Sequence, residues 1–145
     1  MSGLPEMLTL VWANLRAEQQ LFWTYHWRSK GKDYYGDHLL FQRLYEARTA
    51  EIDRMGEVIM AVGGAEWVNP AVSYAAQMDV VGRAESMKGS DAAKAAAVVM
   101  DTLLKIEAAN KYVDQSQYPL AVNNVLAGIA DTHLEALYLL KQRTA

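Results

Sequence analysis

HWRSKGKDYYGDHLLFQRLYEARTAEIDRMGE, residues 26 to 57, is the stretch on which the reading of this chain turns. It sets two imidazoles, His26 and His38, twelve residues apart around a glycine-containing turn, and a carboxylate pair, Asp53 and Glu57, beginning fifteen residues after the second. Four residues is about one helical turn, so Asp53 and Glu57 project from one side of a helix and are spaced to share a cation. Fifteen residues of continuous helix rise roughly 22 Å, whereas the ligands of one metal all lie within about 2.0–2.6 Å of it. Within one chain the histidines and the carboxylates cannot meet at one ion. If the four residues form a single site, two chains build it.

Working outward, four long helical patterns account for most of the chain. The first runs from about Pro5 to about Ser29, with apolar positions at Leu8, Val11, Leu15, Phe22 and Tyr25 and with Glu18 interrupting the stripe; Gly31 ends it. Asp33 is placed to cap the second, whose stripe continues through Phe41, Leu44, Ile52, Met55, Ile59 and Val62 to Gly63-Gly64. A helix of nearly thirty residues is far longer than the roughly 12-residue average and needs partners along its whole length. Two further patterns supply them: one from Ser90-Asp91 to about Tyr112, the other from Pro119 through His133 almost to the C-terminus. Asn69-Pro70 reads as an N-cap followed by a first-turn proline, opening a helix of about ten residues that ends near Val80. No repeat, low-complexity tract or strand pattern competes. The expected fold is all-α, one domain over residues 1–145: a four-helix bundle with a short extra helix between its second and third helices.

Composition narrows the function. A chain of 145 residues is long enough for one domain with a real core. With Lys+Arg 14 against Asp+Glu 17 it is mildly acidic, which gives no reason to expect nucleic acid or an anionic membrane as its main partner. The absence of cysteine excludes disulfides, thiolate metal ligands and thiol catalysis, and fits a reducing cytoplasm. MSGLPEMLTL, at the start, has neither a basic region nor an uninterrupted apolar core, so no signal peptide is expected, and no stretch approaches the ~18 apolar residues of a membrane span. A cytoplasmic protein is the expectation.

Which bundle it is can be tested at the histidines. Ferritin-type di-iron bundles carry Glu-x-x-His pairs on facing helices. The residues three before His26, His38 and His133 are Trp23, Tyr35 and Ala130, so the chain holds no Glu-x-x-His and an intrachain centre of that type is not expected. What the chain does hold, in order, is His26-Trp27, Gly31 five residues after that histidine, His38 twelve after it, and Asp53-x-x-x-Glu57 fifteen further on. This set resembles the signature of the Dps family, the ferritin-like miniferritins that protect DNA during starvation. The resemblance covers most of the chain, including the helix in the middle connection and the Gly-Gly end of the second helix.

The resemblance implies a site across a two-fold interface, with His26 and His38 as iron ligands from one subunit and Asp53 and Glu57 from its partner, and with Trp27 as an aromatic residue beside it. It implies a ferroxidase that oxidises Fe(II) with hydrogen peroxide or oxygen and stores Fe(III) inside a homo-oligomeric shell, a dodecamer, thereby limiting oxidative damage. Two departures point to an alternative. The family commonly has an acidic residue one turn after its second histidine, where this chain has Gln42, a weaker ligand for a hard cation. The alternative is a structural cage or metal-binding shell with weakened ferroxidase activity. Many members also carry a Lys/Arg-rich tail, whereas Met1 to Leu10 contains no Lys or Arg and the C-terminus offers only Lys141 and Arg143, so no DNA-binding residue is assigned.

Each signal also has a plainer reading. His133, in the stripe of the last helix without a matching acid in sequence, reads as a hydrogen-bonded structural residue. Asp53 and Glu57 are spaced for a solvated charge ladder with Arg54, although Gly56 between them costs about 1 kcal/mol against alanine in a helix and suits close helix approach at an interface. Trp23, Tyr25 and Trp27 read as core or interface packing, with scavenging of oxidising equivalents a lesser role. Arg28, Lys30 and Lys32 read as a solvated basic cluster at the turn.

Overall fold

The structure, a computed structural model, describes residues 3–145; Met1 and Ser2, part of the N-terminal stretch lacking Lys and Arg, lie outside the described residues. Five α-helices follow in order: α1 (Leu4–Arg28), α2 (Tyr34–Val62), α3 (Pro70–Ser86), α4 (Asp91–Asn110) and α5 (Pro119–Thr144), with single 3-10 turns at Ala65–Val68 and Val113–Gln115. There is no strand among the described residues. The pairs α1/α2 and α4/α5 pack together into the four-helix bundle, and α3 covers α1 from outside.

The helix boundaries follow from local chemistry. Pro5 sits in the first turn of α1, and the Leu4 N–H, which lacks an intrahelical partner, donates to the side-chain oxygen of Gln115 at 2.8 Å. Ser90 and Asn69 cap α4 and α3, accepting from the backbone N–H of Ala93 and Ala71 respectively. Asp33 precedes α2 but makes no capping bond; its carboxylate lies 3.2 Å from the Arg143 guanidinium, and Asp37 lies 2.6 Å from the same side chain, so the start of α2 is tied to the end of α5. Gly31, at φ +85°, takes the left-handed conformation that turns the chain from α1 into α2.

One expectation needs correction. α3 has 17 residues and ends at Ser86, well beyond Val80. Val80 and Ala84, one turn apart, are both buried against the core, and Arg83 pairs with Asp79 at 3.0 Å across one turn, so the helix continues through Gly82 without interruption.

The core forms two apolar blocks. One, around Leu21, Phe22, Tyr25, Phe41, Val99 and Leu140, lies at the end of the bundle where α1 passes into α2. The other, around Leu8, Val11, Leu15, Met55, Ile59 and Leu126, fills the opposite end. Between them Glu18, Arg48, Thr102 and His133 are buried together, a polar layer across the middle of the bundle.

Candidate metal site

His26 stands in the last turn of α1 and His38 in the second turn of α2, and the Gly31 turn folds one onto the other. Their rings stack with centroids 3.7 Å apart and planes inclined by 21°. Each ring is held by the other residue's backbone: His26 Nδ1 lies 2.8 Å from the His38 carbonyl, and His38 Nδ1 lies 2.9 Å from the His26 carbonyl. A carbonyl only accepts, so both Nδ1 atoms carry a proton, and in the neutral imidazole each Nε2 then keeps its lone pair. The His26 carbonyl, at a helix end, has no intrahelical donor, and the His38 imidazole supplies one. Neither Nε2 has a hydrogen-bond partner among the described residues. Reciprocal Nδ1–H donation to backbone is the arrangement that orients imidazoles as metal ligands through Nε2.

Aromatic rings brace the pair. Tyr34 stacks on His38 at 5.1 Å, and Tyr45 meets His26 edge-on at 5.5 Å. Trp23 stacks on Tyr45 at 5.3 Å and Trp27 lies against Trp23 at 5.2 Å. Tyr25, on the opposite side of α1, is fully buried in the core, but Trp23 is 44% and Trp27 64% exposed, more than an aromatic pair in a finished core would be. Gln42, one turn after His38, is half-buried and donates to Glu46 at 3.1 Å.

Asp53 and Glu57 are exposed on the same unbroken helix as His38. They border a shallow cavity of about 460 Å³ whose walls include Trp12, Ile52, Gly56, Met60 and Val68. A Cβ added at Gly56 would meet the Trp12 indole at 3.7 Å, an ordinary contact, so nothing within the chain demands glycine there. Because α2 is continuous from Tyr34 to Val62, the roughly 22 Å of rise between His38 and Asp53 stands as calculated from the spacing. No group of three or more His, Asp or Glu side chains among the described residues is placed to hold a metal ion. The structure thus brings His26 to His38, and Asp53 to Glu57, and keeps the two pairs apart. Arg28, read from sequence as part of a solvated basic cluster, is exposed and pairs with Glu85 at 2.8 Å and Asp91 at 2.9 Å, contacts that push its pKa up.

The polar layer is what reading the sequence did not assemble. His133 does have an acid, supplied by α1: its Nε2 lies 2.9 Å from Glu18 Oε2, with both side chains fully buried. The Thr102 hydroxyl donates to the same oxygen, and Arg48, 1% exposed, places Nε 3.2 Å from Glu18 Oε1 and Nη1 on Glu51. Burial alone would push the Glu18 carboxyl up; His133, Arg48 and Thr102 outweigh it and hold the carboxyl below its ordinary value. Two signals were present: Glu18 interrupts the α1 stripe, and Arg48 lies midway between Leu44 and Ile52, at core spacing.

No family model matches the chain and no curated protein matches it. Solved structures do, among them two that cover nearly its whole length. The Dps of Thermosynechococcus elongatus is 17% identical, covers 97% of this chain and 90% of its own, and superposes with a TM-score of 0.77. The DPS protein of Vibrio cholerae O1, described as a member of a broad superfamily of ferritin-like diiron-carboxylate proteins, is 14% identical, with 98% and 89% coverage and a TM-score of 0.81. The chain has the ferritin-like four-helix-bundle fold of these Dps proteins.

Proposed function

We propose that the protein is an iron-binding miniferritin that oxidises Fe(II) at a site shared by two subunits and stores the ferric product inside a shell of its own copies. The observation that carries this reading is the His26–His38 clamp. Two imidazoles, one from the end of α1 and one from the start of α2, are fixed in one tautomer with both Nε2 atoms free, while the carboxylate pair lies too far along α2 to complete the site. A second copy related by a two-fold axis would supply Asp53 and Glu57 to this histidine pair and receive the same in return. Imidazole and carboxylate are suitable ligands for iron as a substrate, and carboxylates favour the ferric over the ferrous ion electrostatically. Two ferrous ions, giving one electron each, reduce one hydrogen peroxide to two waters without releasing hydroxyl radical; oxygen is the slower oxidant. Trp27 and Trp23 would lie at the subunit boundary, which accounts for their exposure in the single chain.

Asp53→Ala is expected to abolish fast Fe(II) oxidation, followed by the rise of ferric absorbance after peroxide addition, with the helical circular dichroism unchanged. Oxidation at the wild-type rate in that variant would rule the site out. A second reading, a cage that binds iron but oxidises it poorly, is favoured by Gln42, whose neutral amide engages Glu46 and adds no charge beside His38. Wild-type protein that retains Fe(II) anaerobically but does not speed its oxidation would support that reading, and Gln42→Asp would then be expected to raise the rate.

A further inference from the structure

The polar layer at the bundle centre has the donor set of a metal site and holds a side chain in its middle. Each of the four bundle helices contributes a group: a carboxylate from α1 (Glu18), a carboxylate from α2 (Glu51), a hydroxyl from α4 (Thr102) and an imidazole from α5 (His133). Arg48 reaches into this ring from α2, with Nη1 on Glu51 and 3.2 Å from His133 Nδ1, and Nε 3.2 Å from Glu18 Oε1. The fit is imperfect. Glu18 Oε1 and Arg48 Nε are buried without a hydrogen-bond partner among the described residues, so their contact is one of charge without alignment. A fully buried carboxylate oxygen that faces a cation and accepts no hydrogen bond has coordinating capacity to spare.

We propose that the bundle centre is a divalent-cation cage built from Glu18, Glu51 and His133, that the guanidinium of Arg48 is its resident cation, and that Arg48 is the residue that keeps metal out of it. A guanidinium is always charged, and a competing ion could take its place only if the buried Arg48 side chain swung out of the core. With Arg48 present, the donors spread around a planar group too large to let them close on one ion, which agrees with the absence of any three-ligand group among the described residues. Without it, the fully buried Glu18 and the half-buried Glu51 would both lose their guanidinium partner, and a divalent cation would supply the missing positive charge. Ferrous substrate would then be withheld from the bundle interior and left to the His26–His38 pair and the Asp53–Glu57 pair. The inference stands on the buried cluster and does not depend on the two-fold site.

The test uses full-length protein carrying His26→Ala and His38→Ala, which removes the imidazoles of the proposed two-fold site, and titrates Co(II) while following its visible absorption and the bound metal after gel filtration. In this background the protein with Arg48 intact is expected to bind no Co(II) at the bundle centre. Adding Arg48→Ala is expected to create about one site per chain with the absorption of Co(II) bound by nitrogen and oxygen, and adding Glu18→Gln to that variant is expected to remove the site again. Should Arg48→Ala be unfolded as purified, Co(II) is expected to restore its helical circular dichroism, and the further Glu18→Gln change to prevent the recovery. Three results would overturn the proposal: Glu18-dependent Co(II) binding with Arg48 in place, a folded Arg48→Ala variant that gains no site, or an unfolded one that Co(II) fails to rescue.

Discussion

At the scale of single residues, the two histidine environments in this chain are opposites. His26 and His38 lie where their Nε2 atoms are free, whereas both nitrogens of His133 are engaged, Nε2 by Glu18 and Nδ1 by the Ile129 carbonyl at 2.8 Å. Removing one member of a buried ion pair leaves the other uncompensated, so Glu18→Ala is expected to destabilise the chain by about 3–5 kcal/mol, measured by urea denaturation. The same group predicts a pH dependence. The folded-state pKa of Glu18 is below its ordinary value of 4.5, so the unfolded chain binds the proton more readily. The stability this contributes is fully present above the ordinary carboxylate range and is lost as pH falls through that range toward the depressed folded value. Glu18→Gln should therefore flatten the acid limb of the stability curve while lowering its plateau near neutrality. An acid limb unchanged in slope would show that Glu18 does not carry that dependence.

Among the elements, α2 decides most of the architecture, and its C-terminal stop is more demanding than its start. A Cβ at Gly63 would come within 2.7 Å of Trp67 Cδ1 and 2.8 Å of Pro5 Cβ, atoms of a bulky and a rigid side chain that have little room to give. Gly63→Ala is expected to destabilise by about 1–3 kcal/mol through overcrowding, seen as a lower Tm. Gly82 makes the contrast: it lies inside α3 with nothing within 4 Å of an added Cβ. Gly82→Ala should stabilise by about 0.5–1 kcal/mol, because alanine restricts the unfolded chain and favours the helix. A fall in Tm for Gly82→Ala would mean that this face of α3 is covered in the assembled protein. The Asn69 cap, the helix start at Ser90-Asp91 and the Gly63-Gly64 stop were legible in the sequence because each acts on its own neighbours. Asp33 and the far end of α3 were not, since Asp33 is claimed by Arg143, 110 residues away in the chain, and α3 is prolonged by contacts of Val80 and Ala84 with the core.

At the scale of the whole molecule, the proposed site makes a stoichiometric prediction. Chains with His26→Ala and His38→Ala, unfolded and reassembled with an equal amount of chains carrying Asp53→Ala and Glu57→Ala, should regain about a quarter of the wild-type oxidation rate. Half of randomly formed two-fold pairs are mixed, and each mixed pair rebuilds one of its two sites. Reassembled mixtures that stay inactive, although both parents form the wild-type oligomer, would show that the four residues do not share a site across subunits. Spacing along the sequence was sufficient for the bundle, for the order of its helices and for the separation of the histidine pair from the carboxylate pair, because helical rise and period are local properties of the backbone. Tertiary structure alone decided the tautomer-fixing clamp between His26 and His38, the aromatic brace around it, and the meeting of Glu18, Arg48 and His133 at the centre. Those contacts join residues on different helices, up to 115 positions apart; each member taken singly looks like a break in an apolar stripe, and only packing shows that the breaks coincide.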